Sequence, residues 1–229
     1  MKVLRESDYA YLHTRYRRNK NLGMVLSIVG IPPIILGSYF TNWIALFLGL
    51  LLASIGVVCL ASSRNYRAGI EGEQAVVKAL QVLDDSYSII NDFKSSVKSG
   101  NIDHILICPK GVFVIETKNY SGDIRCYGER WSKKVKGRLY DIRSVSYQAK
   151  NNAKYLSDLI HGKTNLSLFV EPICVFTNPS MKLKIYKPTV AIRQVDGLAE
   201  FIMEFQPKTT ITDSEIQMVA KCILDAHSE

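Results

Sequence analysis

Two uncharged apolar runs near the start of the chain restrict its fold more than any other feature. Residues 22–40 and 43–61 contain no Asp, Glu, Lys or Arg, and each run is 19 residues long. At about 1.5 Å per residue, a helix of that length approaches the hydrocarbon thickness of a bilayer. Only Thr41 and Asn42 separate the runs, so a tight membrane-spanning helical hairpin is expected. Pro32 and Pro33 should kink its first arm, and a reentrant first segment is the variant of this reading. The alternative is a helix pair buried in a soluble protein, which needs a larger covering surface than the rest of the chain offers. A cleaved signal peptide fits poorly, because the apolar stretch starts late and a second one follows at once.

The flanks of the hairpin carry the charge. Lys2, Arg5, Arg15, Arg17, Arg18 and Lys20 precede it, Arg64 and Arg67 follow it, and the connecting turn is uncharged. Basic residues at both outer ends predict that both termini and the soluble part face the cytoplasm. Tyr39, Phe40 and Trp43 would then form an aromatic belt at the far interface. Net charge is +8, which suits an acidic membrane face or a phosphate polyanion equally well. The five cysteines, Cys59, Cys108, Cys126, Cys174 and Cys222, form no CxxC pair. They suggest neither a zinc site nor a disulfide framework, and a reducing compartment follows.

The division expected is residues 1–63, a basic N-terminus with two transmembrane helices, and residues 64–229, a cytoplasmic mixed α/β domain. In the second part, residues 71–83 have helical apolar spacing, with Gly69 and Gly72 loosening the start. Residues 87–92 read as a strand, followed by a polar loop through Ser95, Ser96, Ser99 and Gly100. Residues 102–108 and 112–117 are rich in β-branched and aromatic side chains around Pro109, Lys110 and Gly111, which predicts a central hairpin. A Gly-punctuated hairpin or excursion around Trp131 comes next, then a helix over 145–160 and strands at 169–176 and 190–192. Thr212 and Glu215 make a capping box for a final helix.

Folding the central hairpin about Pro109 and Lys110 sets Asp103 roughly opposite Glu116, with Lys118 on the same strand face as Glu116. A register slip of one residue would separate them. Two buried carboxylates repel one another unless a cation lies between them. A hard divalent ion suits their oxygens and would polarise a phosphoryl group, while Lys118 could orient an attacking water. The plainer reading makes these residues surface groups at a strand end, because an E-x-K triplet is common.

The motifs resemble the nuclease-related domain family, a branch of the PD-(D/E)XK restriction-endonuclease-like superfamily. The matching residues are Gly69 to Glu73, Ile102 to Ile105, Gly111 to Tyr120, Gly122, Trp131 and Gln148. The resemblance implies a mixed β-sheet core flanked by helices, with Asp103 and Glu116 as ligands to magnesium or manganese. It implies that Lys118 is the catalytic lysine, that Glu73 is an auxiliary acid and that Gln148 approaches from the following helix. A proline often found before that glutamine is replaced by Ser144-Val145-Ser146-Tyr147, which leaves the helix start open.

Other residues read more blandly. His104, beside Asp103, is expected to pack or hydrogen-bond and not to ligate. Lys133, Lys134, Lys136 and Arg138 near Trp131 are a solvated loop or a track for a phosphate backbone beside a stacking ring. Asn151 and Asn152 read as helix surface. The functional expectation is a membrane-anchored, metal-dependent hydrolase of phosphodiester bonds, with nucleic acid (DNA ahead of RNA) and the lipid bilayer as partners. A catalytically weak or inactive binding module for nucleic acid or nucleotides, tethered to the membrane, is the alternative. A membrane scaffold is the third reading, and the buried carboxylates argue against it.

Overall fold

The structure, a computed structural model, describes residues 1–94, 101–207 and 210–228. The polar loop expected through Ser95, Ser96, Ser99 and Gly100 lies outside the described residues. The chain forms two compact units, Asp8–Glu71 and a second made of Met1–Ser7 with Gly72–Glu229.

The first unit is a helical hairpin. Strand β1 (Lys2–Arg5) comes before it in the chain; then α1 (Ala10–Tyr39) and α2 (Trp43–Leu80) follow with Thr41 and Asn42 at the turn. Helix α1 continues through Pro32 and Pro33. Both helices are long and apolar enough to cross a membrane, and only 17% and 11% of their apolar windows are buried. Ile28, Ile35, Phe47 and Val58 are among the many large apolar side chains left exposed. The helices touch through glycine: a Cβ on Gly30 would lie 2.8 Å from the Gly49 carbonyl oxygen. Small residues of this kind let two helix backbones approach where lipid offers no hydrophobic drive for association.

The second unit is mixed α/β. Its strands are β1, β2 (Ser88–Lys94), β3 (Asn101–Cys108), β4 (Gly111–Lys118), β5 (Asp123–Tyr127), β6 (Arg130–Val135), β7 (Arg138–Ile142), β8 (Val170–Phe176), β9 (Lys182–Tyr186) and β10 (Ala191–Gln194). Helices α3 (Val145–Thr164), α4 (Leu198–Glu204) and α5 (Asp213–Ser228) complete it with the last turns of α2. One sheet has six strands in the order β1-β2-β3-β4-β8-β10, and a second has four in the order β7-β6-β5-β9. In the larger sheet β2, β3 and β4 are antiparallel neighbours, whereas β1, β8 and β10 pair parallel.

Alternation along the strands splits the core. Ile105, Ile107, Val112 and Val114 pack against Leu156 and Ile160 of α3 and Val219 and Ile223 of α5. Leu106, Phe113, Ile115 and Val175 face the other way, toward Val76 and Leu80 of α2 and Leu198 and Ile202 of α4. Nearly continuous apolar runs in β3, β4 and β8 fit strands covered on both faces. A third cluster around Trp131, Ala149, Cys174 and Phe176 joins the small sheet to the large one.

Several expectations meet the structure directly. Ser144 caps α3 by accepting from the Tyr147 backbone N–H at 3.1 Å, so the cap supplies the helix start that the missing proline left open. Thr212 and Glu215 exchange hydrogen bonds at the head of α5. Other features differ. Residues 71–80 do not start a separate helix; they continue α2, because glycines such as Gly69 and Gly72 cost a long helix only about 1 kcal/mol each and do not stop it. Residues 2–5, expected only as a basic flank, form the edge strand β1 beside β2. Strand β9 and helix α4 carried too weak a pattern to be foreseen.

Candidate active site

The hairpin register is the one expected. The β3–β4 ladder runs from Cys108 opposite Gly111 to His104 opposite Ile115, which sets Asp103 against Glu116 at the next position. Regular pairing stops there. The Asp103 Oδ2 accepts the Thr117 backbone N–H at 2.7 Å, so a carboxylate takes a backbone donor at the point where the strands part. On β4, Glu116 and Lys118 share the face of Val112 and Val114, and α3 covers that face.

Asn152 of α3 reaches Glu116, donating from Nδ2 to Oε2 at 3.2 Å. The Lys118 Nζ donates to the other oxygen, Oε1. Glu116 is only 1% exposed. Burial and the neighbouring Asp103 push its carboxyl up to about 8, against the pull of Lys118. Burial also raises Asp103, and Lys118 and the Thr117 N–H partly offset the effect. Burial alone would lower the Lys118 ammonium, but Glu116 and Asp103 outweigh it and hold the group above its ordinary value.

Helix α2 brings in a third acid from the opposite face. Glu73 is partly buried, and burial, then Asp103 and Asp92, push it up to about 8. Gly72 makes the approach: a Cβ there would come 2.9 Å from Thr177 Oγ1 and 3.3 Å from Asn119 Cβ. Its role is therefore close contact between helix and sheet end, where the sequence suggested a loosened helix start. Asp92 of β2 faces Asp103 across the β2–β3 register, with Asn91 opposite His104 and Phe93 opposite Ile102. It has φ 50°, a left-handed conformation that aspartate tolerates better than most residues.

Asp103, Glu116, Lys118 and Glu73 thus come together at one end of the large sheet. Gln148 is one helical turn before Asn152 on α3 and partly buried, while the α3 side chain that contacts Glu116 is Asn152. Asn152 is 1% exposed, which corrects its reading as helix surface; only Asn151 is exposed. The i, i+4 spacing from Gln148 was the signal available for it. Asp92 gave no such signal, since its position depends on the β2–β3 register.

Two other residues are settled by burial. His104 is fully buried, its Nδ1 lies 2.8 Å from Asn91 Oδ1, and burial lowers it to about 3. It is a neutral packing residue, as expected. Trp131 is 1% exposed, donates from Nε1 to Ser146 Oγ at 2.9 Å and packs on Phe176. The notion of Trp131 as a stacking ring for bases is therefore overturned, because the apolar ring seals the joint between the sheets.

The strand ends of this mixed α/β domain thus gather an Asp, a Glu and a Lys, with a helix-borne acid beside them. Residues 68–177 match the nuclease-related domain family, a match consistent with the PD-(D/E)XK superfamily. An uncharacterized protein of Bacillus anthracis is 34% identical over 100 residues, which is 40% of this chain and 46% of that protein. The chain thus matches less than half of that relative's length. No solved structure matches the chain.

Proposed function

We propose that the chain is a membrane-anchored nuclease whose α/β domain adopts a restriction-endonuclease-like core and hydrolyses phosphodiester bonds, in DNA ahead of RNA, with a divalent metal. The observation that carries this reading is the meeting of Asp103, Glu116 and Lys118 where β3 and β4 part. The donor set suits a hard ion: carboxylates that repel one another when charged, beside an Asn152 Oδ1 that lacks a hydrogen-bond partner among the described residues. Among the described residues no three His, Cys, Asp or Glu side chains form a metal site by themselves. Asp103 and Glu116 would therefore share the ion with waters and a substrate oxygen, a common pattern for magnesium. Bound there, magnesium or manganese would polarise the phosphoryl group and acidify a water.

The chain's own groups supply the rest. Lys118, kept charged by its two carboxylates, orients the attacking water and offsets negative charge growing at phosphorus. Asn152 holds one Glu116 oxygen and fixes the side chain's direction. Glu73 holds a proton beside the cluster near neutral pH.

Anchoring follows from the uncovered apolar surface of α1 and α2, which lipid would cover, with the basic flanks on the cytoplasmic side. Strand β1 lies before the hairpin and β2 after it, yet they pair in one sheet. Two crossings would return the chain to the side it left, and the β1–β2 pairing supports that reading.

The test uses the full chain in lipid nanodiscs, with single- and double-stranded DNA and RNA and either magnesium or manganese. Cleavage is expected with wild type and should fall to background in Glu116→Ala. Equal traces of cleavage in both proteins would sink the enzyme reading.

A further inference from the structure

Strand β5, inside the small sheet, turns one side into the core and the other to solvent. On β5, Ile124 and Cys126 are buried, whereas Asp123, Arg125 and Tyr127 turn outward. The registers give three outward rungs across β6, β5 and β9: Lys134–Asp123–Lys182, Ser132–Arg125–Lys184 and Arg130–Tyr127–Tyr186. The two carboxylates on this face are already matched. Asp123 pairs with Arg125 at 3.4 Å, and Asp141 on β7 pairs with Arg130 at 2.9 Å. Lys134, Lys182 and Lys184 are exposed and, among the described residues, have no ion-pair partner. Lys184 and Lys134 both lie close enough to Asp123 to help Arg125 lower its carboxyl.

At the far rung the chemistry changes. Tyr127 and Tyr186 stack with ring centroids 5.0 Å apart and planes 15° from parallel, and they are 62% and 55% exposed. Two exposed rings bring no burial gain to the core. Unpaired lysines attract phosphates, and tyrosine rings offer surfaces to unpaired bases; single-strand binding faces combine the two. A lipid headgroup surface would also accept lysines and tyrosines, but it has no use for a face that runs on from the strand end carrying Lys118.

The face also leads toward the carboxylates. Strand β4 ends at Lys118 and β5 begins at Asp123, so the first rung lies within about 18 Å of Lys118 along the chain. Lys182 is tied there as well, donating its backbone N–H to the Gly122 carbonyl at 2.9 Å.

We infer that the outer face of the β5–β6–β7–β9 sheet is a docking surface for single-stranded nucleic acid, with Lys134, Lys182 and Lys184 on phosphates and Tyr127 and Tyr186 on bases. It deepens the nuclease reading by naming the form of substrate strand, but its test does not need catalysis.

The measurement is fluorescence anisotropy of a labelled oligothymidine and of a duplex of equal length. The full chain is held in nanodiscs of neutral lipid with a chelator present. Wild type should bind the single strand more tightly than the duplex. Tyr127→Ala with Tyr186→Ala should weaken single-strand binding about tenfold, and the double Phe variant should restore it. Lys182→Glu with Lys184→Glu should also weaken binding and flatten its salt dependence by roughly 1.4 in log–log slope. Binding unchanged in the tyrosine and lysine variants overturns the proposal, as does equal affinity for the duplex. The proposal also falls if the lysine variant keeps its DNA affinity and instead stops sedimenting with phosphatidylserine vesicles. If wild type binds as expected but never cleaves with metal, the docking face stands and the nuclease reading fails.

Discussion

Burial and acidic neighbours push Glu116 and Glu73 each up to about 8, against about 4.5 for an ordinary glutamate. Between those values the folded chain holds protons that an unfolded chain would release. Stability should therefore be fullest below about pH 4.5 with respect to these groups and fall as pH rises toward 8. Thermal unfolding of the chelator-treated chain at pH 5, 6.5 and 8 should show the decline, and Glu116→Gln should flatten it. A metal bound at the carboxylates would favour their charged forms, so added magnesium should stabilise most at the high end of that range. Asn152→Ala leaves a Glu116 oxygen without its donor. It should reduce metal affinity by about 10- to 100-fold, as loss of a ligand-orienting partner commonly does, measurable by calorimetry. Unchanged affinity would make Asn152 a packing residue only. The Asp-Glu-Lys triplet was legible because strand periodicity and a short turn set the register. Asn152 and Asp92 were not, since one depends on how α3 rolls against β4 and the other on pairing with a neighbouring strand.

At the scale of the element, α2 shows how one helix serves two purposes. Its first part is apolar all round, and its last turns bury Val76 and Leu80 against the large sheet. Gly72 sits where the helix meets the sheet end. Glycine inside a helix ordinarily costs about 1 kcal/mol relative to alanine, so Gly72→Ala would stabilise a free-standing helix. Here the added Cβ meets Thr177 Oγ1 at 2.9 Å. We expect Gly72→Ala to lower the melting temperature of the full chain; a rise would show that the contact yields without strain. The long hydrophobic pattern made α2 readable, but its unbroken passage into the domain was not. Helical periodicity marks faces and does not say where one helix hands over to another. Strand β9 went unread for a related reason: with Lys182, Lys184, Ile185 and Tyr186 all exposed, it lacks a clean alternation.

For the whole molecule, the pairing of β1 with β2 links the segment before the hairpin to the domain after it. Arg5 reinforces the link, donating to the backbone carbonyls of Asn91 and of Asp92, the latter at 2.6 Å. Arg5→Ala should leave expression and membrane insertion intact while making the β2 edge more open to limited proteolysis. Reporters fused at either end should both read the cytoplasm, and opposite readings would break the two-crossing scheme. The sequence by itself determined the apolar hairpin, the central β-hairpin and its Asp-Glu-Lys triplet, because each depends on patterns within a few neighbouring residues. Only the tertiary structure decided that Asp92 and Asn152 join that triplet, that Trp131 is sealed in the core and that Tyr127 meets Tyr186 on an open face. Those outcomes depend on contacts between segments far apart in the chain, where burial and packing choose among partners that local periodicity leaves equivalent.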